Sequence, residues 1–356
     1  MKARLGIIGG GIYGTKMLKA FSFASKMEDI ELVALADINE EVVNQQAKDF
    51  NIKGYLDYKE MLKKENLDAV AIVTPDFLHR EITLEAVKYG VHVLVQKPLD
   101  TSSQGAQDMI KAARENDLML FVDFHKRFDP AHMQLKNDIK HGKLGNIQYG
   151  YAHMEDKIVV PSVWLKNWAQ HSSPAWFLGI HFYDLIYWLL ASKPKRVYAT
   201  AIKDKLIGMG IDTYDSIQAK FEFENGTHFS MDSSWILPNS FPSIVNQSIR
   251  LIGSNGMTEV DSQDRGVLSA FEDDATSIVS NPFAALEVER PFYGIAPQGY
   301  TFESMLYFTK LINLMKNGMK LEQLEGSYPC GEEALVSTQM CEAVHESIKI
   351  NQVIQL

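Results

Sequence analysis

Leu5-Gly6-Ile7-Ile8-Gly9-Gly10-Gly11-Ile12-Tyr13-Gly14 sets the architecture of this 356-residue chain. Leu5 to Ile8 is a short apolar run that predicts a buried strand, and Ile12 to Ala24 predicts a helix. Between them Gly9, Gly11 and Gly14 fit the spacing G-x-G-x-x-G. Glycine clusters commonly mark plain turns, but a strand before and a helix after give this one a meaning. Gly9 permits the tight turn, Gly11 lets a pyrophosphate approach the backbone, and Gly14 lets the helix pack on the strand. Ile12 and Tyr13 fall where the helix N-terminus offers free N–H groups and a partial positive charge to phosphates. Asp37 lies 23 residues beyond Gly14, after a second apolar run, Glu31 to Ala36. A carboxylate there accepts from a ribose 2′-hydroxyl and repels a 2′-phosphate. Ile38, not an arginine, follows it. The expected cofactor is NAD, with NADP disfavoured.

The alternation continues to Val122. Helices are expected at Glu40 to Asp49, His79 to Tyr89 and Thr101 to Asn116, and buried strands at Ala69 to Val73, Val91 to Val95 and Leu118 to Val122. Runs apolar on both faces and separated by helices predict a parallel sheet covered on both sides, a doubly wound α/β domain over residues 1–123. Beyond Phe128 the candidate strands lengthen and alternate: Ile147 to Met154, Arg196 to Ile202, Ser216 to Phe223, Thr227 to Trp235, Ser248 to Gly253 and Met257 to Asp261. Asn225-Gly226 between two of them is a strong hairpin signal. Helices at Thr301 to Asn317 and Glu332 to Lys349 close the chain. Residues 124–356 thus predict a second α/β domain with a large, mostly antiparallel open sheet, separated from the first by a cleft. One face of that sheet would be exposed in a monomer, so a homo-oligomer, dimer or tetramer, is expected.

Composition excludes several roles. Apolar residues make up 46% and charged residues 22%, the profile of a folded globular chain. Forty-five acidic against 35 basic residues leave a net charge of −10, which repels nucleic-acid backbones. Cys330 and Cys341, the two cysteines, make neither a disulfide framework nor a zinc cluster. Apolar runs such as Leu185 to Ala191 fall far short of the roughly 20 residues of a membrane span. Met1-Lys2-Ala3-Arg4 and the apolar run after it have the outline of a signal peptide, but the glycines break its core. A soluble cytoplasmic protein with a small-molecule task is expected.

Further landmarks are Thr74-Pro75 with His79, Gln96-Lys97-Pro98, Arg127-Phe128-Asp129-Pro130, Gly142-Lys143-Leu144-Gly145 and Gly179-Ile180-His181-Phe182-Tyr183-Asp184. In this order, and with Gly253 and Gly256 further on, the chain resembles the glucose–fructose oxidoreductase / inositol dehydrogenase (Gfo/Idh/MocA) family along nearly its whole length. The resemblance implies a Rossmann domain, an α/β domain with an open sheet, oligomers, and NAD(P)-dependent oxidation or reduction of a sugar or polyol. Two positions depart from it. The family usually has Glu-Lys-Pro where this chain has Gln96-Lys97-Pro98. It also often has an Asp four residues before the active-site His, where this chain has Phe177. Asp156, Asp184 and Tyr183 are the candidates for the vacant role.

Oxidising a secondary alcohol needs a base for the hydroxyl proton and a cation for the developing alkoxide. Lys97 ends a predicted strand, where ligands of doubly wound sheets bind, and is the candidate cation. His181 is the candidate proton carrier, because imidazole titrates near neutrality; a satisfied core histidine is the competing reading. Asp184, three residues on, reads as support for His181. Thr74, Pro75, His79 and Gln96 are expected to shape the cofactor pocket. His125, His153 and His171 lack metal-ligand spacing, and no metal is expected. Trp164, Trp168 and Trp176 fall in a polar, proline-bearing stretch and suit either a sugar or aglycone face, which implies a glycoside-sized substrate, or packing between domains. Two functions compete: a dehydrogenase of a ring hydroxyl in a sugar, glycoside or cyclitol, and a nicotinamide- or sugar-binding regulator on a degenerate dehydrogenase scaffold. Intact Lys97 and His181 favour the enzyme.

Overall fold

The computed structural model describes residues 2–27, 29–166, 168–261, 266–272, 277–291 and 294–356. By its internal contacts the chain divides into two compact units: Met1–Phe128 with Ala284–Leu335, and Asp129–Phe283 with Val336–Leu356.

The first unit begins with β1 (Ala3–Ile8), α1 (Ile12–Lys26), β2 (Ile30–Ala36), α2 (Glu40–Phe50), β3 (Lys53–Tyr55), α3 (Tyr58–Lys64), β4 (Ala69–Ile72), α4 (His79–Lys88), β5 (His92–Val95), α5 (Ser103–Glu115) and β6 (Leu120–Val122). The strands form one six-stranded sheet in the order β3-β2-β1-β4-β5-β6, parallel throughout. Ile7, Ala71, Leu94 and Phe121 are fully buried in it, as strands covered on both faces must be. Side-chain caps start the helices: Asn39 accepts from the backbone of Glu41 and Val42, Asp57 from Lys59 and Ser102 from Gly105. The edge strand β3 and the short α3 carry no apolar run and are not foreseen in the sequence. The strand order reverses direction between β1 and β4, and the crevice beyond the carboxyl ends of such strands is where ligands bind.

The second unit opens with α6 (Pro130–Lys140), β7 (Ile147–Lys157), α7 (Ile180–Leu190), β8 (Pro194–Ile202), α8 (Lys205–Gly208), β9 (Ser216–Phe223), β10 (His228–Leu237), β11 (Val245–Gly253) and β12 (Met257–Asp261), with a small hairpin of β13 (Val267–Ser269) and β14 (Ile278–Ser280). The chain returns to the first unit through β15 (Leu286–Arg290), β16 (Gly294–Gln298) and α9 (Tyr300–Lys316). It ends in α10 (Gly331–Ile350) and β17 (Ile354–Gln355). The large sheet runs β12-β11-β7-β10-β9-β8-β17, and every pair is antiparallel except β7 with β10. Asn225-Gly226 makes the β9–β10 hairpin, with Phe221 opposite Phe229. One face of this sheet is apolar, with Phe221, Phe223, Phe229, Met231 and Trp235 fully buried.

α9 belongs to the first unit because its buried face completes that core. Phe302, Met305, Phe308 and Ile312 pack with Met17, Leu18 and Phe21 of α1. A single cut at residue 123 therefore does not separate the two units. Among the described residues no helix is long and apolar enough to cross a membrane.

Candidate active site

The loop after β1 is built for a ligand that needs backbone, not side chains. Gly9 has φ +106°, and a Cβ there would stand 2.8 Å from the Val73 carbonyl carbon. A Cβ on Gly14 would stand 3.0 Å from the Gly9 carbonyl carbon and closer still to its oxygen. Gly11 is different: a Cβ would meet nothing within 4 Å, so this glycine keeps open space above the start of α1. That is the cradle a pyrophosphate requires. Ile12 beside it is 68% exposed. Asp37 turns over the same loop, with Oδ2 accepting from the Gly10 backbone at 2.6 Å and Oδ1 from that of Asn39 at 2.9 Å. The residues present fit a dinucleotide.

Thr74-Pro75 and Lys97-Pro98 are tied together by His79. Its Nδ1 lies 2.8 Å from the Pro98 carbonyl oxygen and its Nε2 3.0 Å from that of Thr74. His79 is fully buried as the first residue of α4; it shapes this end of the sheet from beneath. The Lys97-Pro98 peptide is cis.

Against Gln96 lies a carboxylate that the sequence reading passes over. Asp123, directly after β6, is fully buried. Its Oδ2 accepts from Gln96 Nε2 at 2.5 Å and from the Tyr13 hydroxyl at 3.2 Å, and its Oδ1 from the Ser304 hydroxyl at 2.5 Å. Burial pushes this carboxyl above the ordinary carboxylate range, opposed by Ser304, Gln96, Tyr13 and the charge of Lys97. Burial, and then the Asp123 charge, lift the Tyr13 phenol well above its usual value. His125 stands 3.4 Å from the Tyr13 oxygen and stacks on Tyr300 at 5.7 Å. A signal for Asp123 exists in the sequence: like Lys97, it is the polar residue at the carboxyl end of a buried run. Ser304 has no such signal, because a fold, not a spacing, brings α9 to it.

In the second unit a short turn of wider helix, Ala175–Gly179, runs into α7, so Trp176, Phe177, His181, Tyr183 and Asp184 follow along one continuous helical run. His181 is 5% exposed and Asp184 fully buried. Asp156, on β7, is buried as well. Tyr183 is fully buried and sits edge-on to Phe221 at 5.1 Å. Burial raises its phenol well above the ordinary value, which makes it a poor proton carrier near neutrality. Phe177, where the resemblance implies an Asp, lies 6.0 Å from Trp168 and 6.1 Å from Trp235, so that place serves aromatic packing. Trp176 is buried and stacks on His345 at 5.6 Å. Trp164 is 47% exposed. Among the described residues, no group of three His, Cys, Asp or Glu side chains is placed to hold a metal ion.

Comparison with known proteins agrees with this geometry. Residues 3–124 match an oxidoreductase family with an NAD-binding Rossmann fold, and residues 132–259 match the GFO/IDH/MocA C-terminal domain. The D-glucoside 3-dehydrogenase of Escherichia coli is 30% identical over 260 residues, which are 69% of this chain and 74% of that protein. The myo-inositol 2-dehydrogenase of Thermotoga maritima is 25% identical over 258 residues, 71% of this chain and 73% of that protein. The fold is shared with the scyllo-inositol dehydrogenase of Lactobacillus casei, solved with NAD(H) and scyllo-inositol. Its TM-score is 0.78 at 19% identity, with 100% of this chain and 99% of that one covered. With both domains matched and the glycine cradle in place, the chain belongs to the GFO/IDH/MocA family of NAD-binding oxidoreductases.

Proposed function

We propose that this protein is an NAD-dependent dehydrogenase that moves hydride between a ring hydroxyl, or the matching ketone, of a sugar, glycoside or cyclitol and the nicotinamide. The observation that carries this reading is the gathering of the open Gly11 cradle, Asp37, the Thr74-Pro75 turn and Lys97 at the carboxyl ends of β1, β2, β4 and β5. Relatives named as glucoside and inositol dehydrogenases supply the substrate class.

NAD, when bound, supplies the hydride acceptor. Gly9, Gly11 and Gly14, with Ile12 and Tyr13 at the start of α1, would hold its pyrophosphate, and Asp37 its ribose. The Lys97 ammonium stabilises the alkoxide that develops on the substrate oxygen. His181 takes or returns the hydroxyl proton, with Asp184 three residues on as its support. Its raised phenol withdraws Tyr183 from proton transfer, and Trp176 is engaged in stacking on His345, while Trp164 and Trp168 remain available to a sugar face. The assembly is a dimer or larger, through the outward face of the large sheet. That face carries Tyr149, Tyr151 and Tyr198, all exposed, and tyrosine is enriched at interfaces.

The test is direct. The full-length protein is mixed with NAD, or with NADH for the reverse direction, and a panel of inositols, glucosides and free sugars or their ketones. Absorbance at the reduced-nicotinamide band is followed. Turnover with at least one ring alcohol is expected; none in either direction would overturn the proposal. A mass spectrum of cofactor released from freshly purified protein separates a retained, recycled NAD from one exchanged at each turnover.

A further inference from the structure

Ser173 and His345, far apart in the chain, bind each other, and chemistry fixes the direction of the bond. His345 on α10 has Nδ1 2.7 Å from the Cys341 carbonyl oxygen and Nε2 2.8 Å from the Ser173 hydroxyl oxygen. A carbonyl only accepts, so Nδ1 holds the ring hydrogen and donates it. Nε2 of the neutral ring is then a lone pair, and Ser173 donates its hydroxyl hydrogen to it. With that hydrogen committed, Ser173 Oγ is left as an acceptor and takes the Trp176 backbone N–H at 3.2 Å. The Ser173 carbonyl takes that of Phe177 at 2.9 Å. Ser173 therefore satisfies the first free N–H groups of the helical run that starts at Ala175–Gly179 and continues as α7. Trp176 of the same run stacks on the His345 ring, with 15° between the planes. The remaining group at the ring is Tyr214, tilted at 6.3 Å. Burial moves the His345 titration down, toward the neutral form this arrangement needs. A second proton would make Nε2 a donor and leave the hydrogen of the buried Ser173 hydroxyl without its acceptor.

We infer that His345 is a positioning residue for His181: by orienting the Ser173 hydroxyl and stacking on Trp176, it fixes the start of the helical run that leads into His181. The inference rests on the proposed role of His181 as the proton carrier. Ser173, Trp176, His181 and His345 all belong to the second unit. A proton carrier works only within hydrogen-bond reach of the proton it moves, so a small rotation at the head of the run is felt as lost turnover. The same helix offers a structural comparison. Ser347 of α10 accepts from the Ala199 backbone N–H at 2.9 Å, which ties α10 to β8 and not to the run.

The experiment reads both rings by NMR of the full-length protein with nitrogen-15 histidine. His345 and His181 are assigned by the signals lost in His345→Gln and His181→Ala. In the wild type at neutral pH, His345 is expected to hold its hydrogen on Nδ1, the minor form of free histidine. Ser173→Ala and His345→Phe are expected to shift the His181 signals and to lower kcat about tenfold, with NADH affinity unchanged. Because both cut one link, the double variant is expected to be no worse than the more damaged single. His345→Gln, whose amide oxygen accepts from Ser173, is expected to leave His181 close to wild type. Ser347→Ala is expected to leave both the His181 signals and kcat unchanged. A His345 hydrogen on Nε2 overturns the inference, as do unmoved His181 signals in the two single variants or an equal shift in Ser347→Ala. The wild-type tautomer and Ser173→Ala keep the test decisive if His345→Phe does not fold. Failure of the dehydrogenase reading would appear instead as a silent substrate panel with the His181 signals responding as described.

Discussion

Two alanines placed three residues apart in the glycine loop should fail in opposite ways. Gly11 has φ −65° and ψ −160°, angles open to any residue, and a Cβ on it meets nothing within 4 Å. Gly11→Ala should therefore fold as well as the wild type, or be more stable by a few tenths of a kcal/mol through the unfolded chain (about 0.4–1 kcal/mol where the conformation suits). What the methyl takes is the space a pyrophosphate needs. NAD affinity should fall at least tenfold, about 1.4 kcal/mol. Gly14 is the third residue of α1, and its Cβ would press on the Gly9 carbonyl, carbon at 3.0 Å. The obstacle is backbone at both ends, so no side chain can swing away. Overpacking costs about 1–3 kcal/mol, against a helix-propensity gain of about 1 kcal/mol at most. A net loss of about 1–2 kcal/mol is about 2–8 °C in Tm for a unit of this size. Thermal unfolding by circular dichroism and titration of NADH by its fluorescence separate the two effects. Wild-type NADH affinity in Gly11→Ala, or a wild-type Tm in Gly14→Ala, would refute the assignment of these glycines.

Other outcomes follow from the same geometry. Lys97→Met should lower kcat by about a hundredfold or more while leaving NAD affinity little changed, and His181→Ala should cost about 10²–10⁴-fold; a fully active His181→Ala enzyme would remove His181 as the proton carrier. NAD should bind at least tenfold more tightly than NADP, about 1.4 kcal/mol, because Asp37 stands where a 2′-phosphate would lie; equal affinities by fluorescence quenching would contradict this. His345 is held neutral by burial, with its ordinary titration moved downward despite the bond to the Cys341 carbonyl. A His lowered in the folded state stabilises fully above its unfolded value of about 6.5, and that share is lost as pH falls through the lowered one. Tm should therefore drop as pH falls below about 6.5, and His345→Gln should flatten the drop; an unchanged slope would place the acid sensitivity elsewhere.

How much was legible depended on where each residue's partner lies in the chain. The parallel sheet could be read because each of its long strands is apolar on both faces within a handful of residues, and the glycine loop because its context is the strand and helix on either side. β3 escaped because an edge strand needs no apolar run, only a free edge on β2 to pair with. Tyr183 and Trp176 drew attention as chemically able side chains. Their settings, edge-on to Phe221 and stacked on His345, depend on residues about 40 and 170 positions away, a separation no local pattern reports. Asp123 is the instructive case. Its position at a strand end was as visible as that of Lys97, yet aspartate after a strand is also an ordinary turn residue. Only α1 and α9, closing over it with Tyr13 and Ser304, turn it from a solvated turn residue into a buried carboxyl held by hydrogen bonds. The sequence shows Gln96 as a departure from a pattern; the fold shows it as half of a pair. Where a motif residue changes its charge, the place to look is the next strand end in the sheet, since parallel neighbours such as β5 and β6 deliver their last side chains to the same crevice.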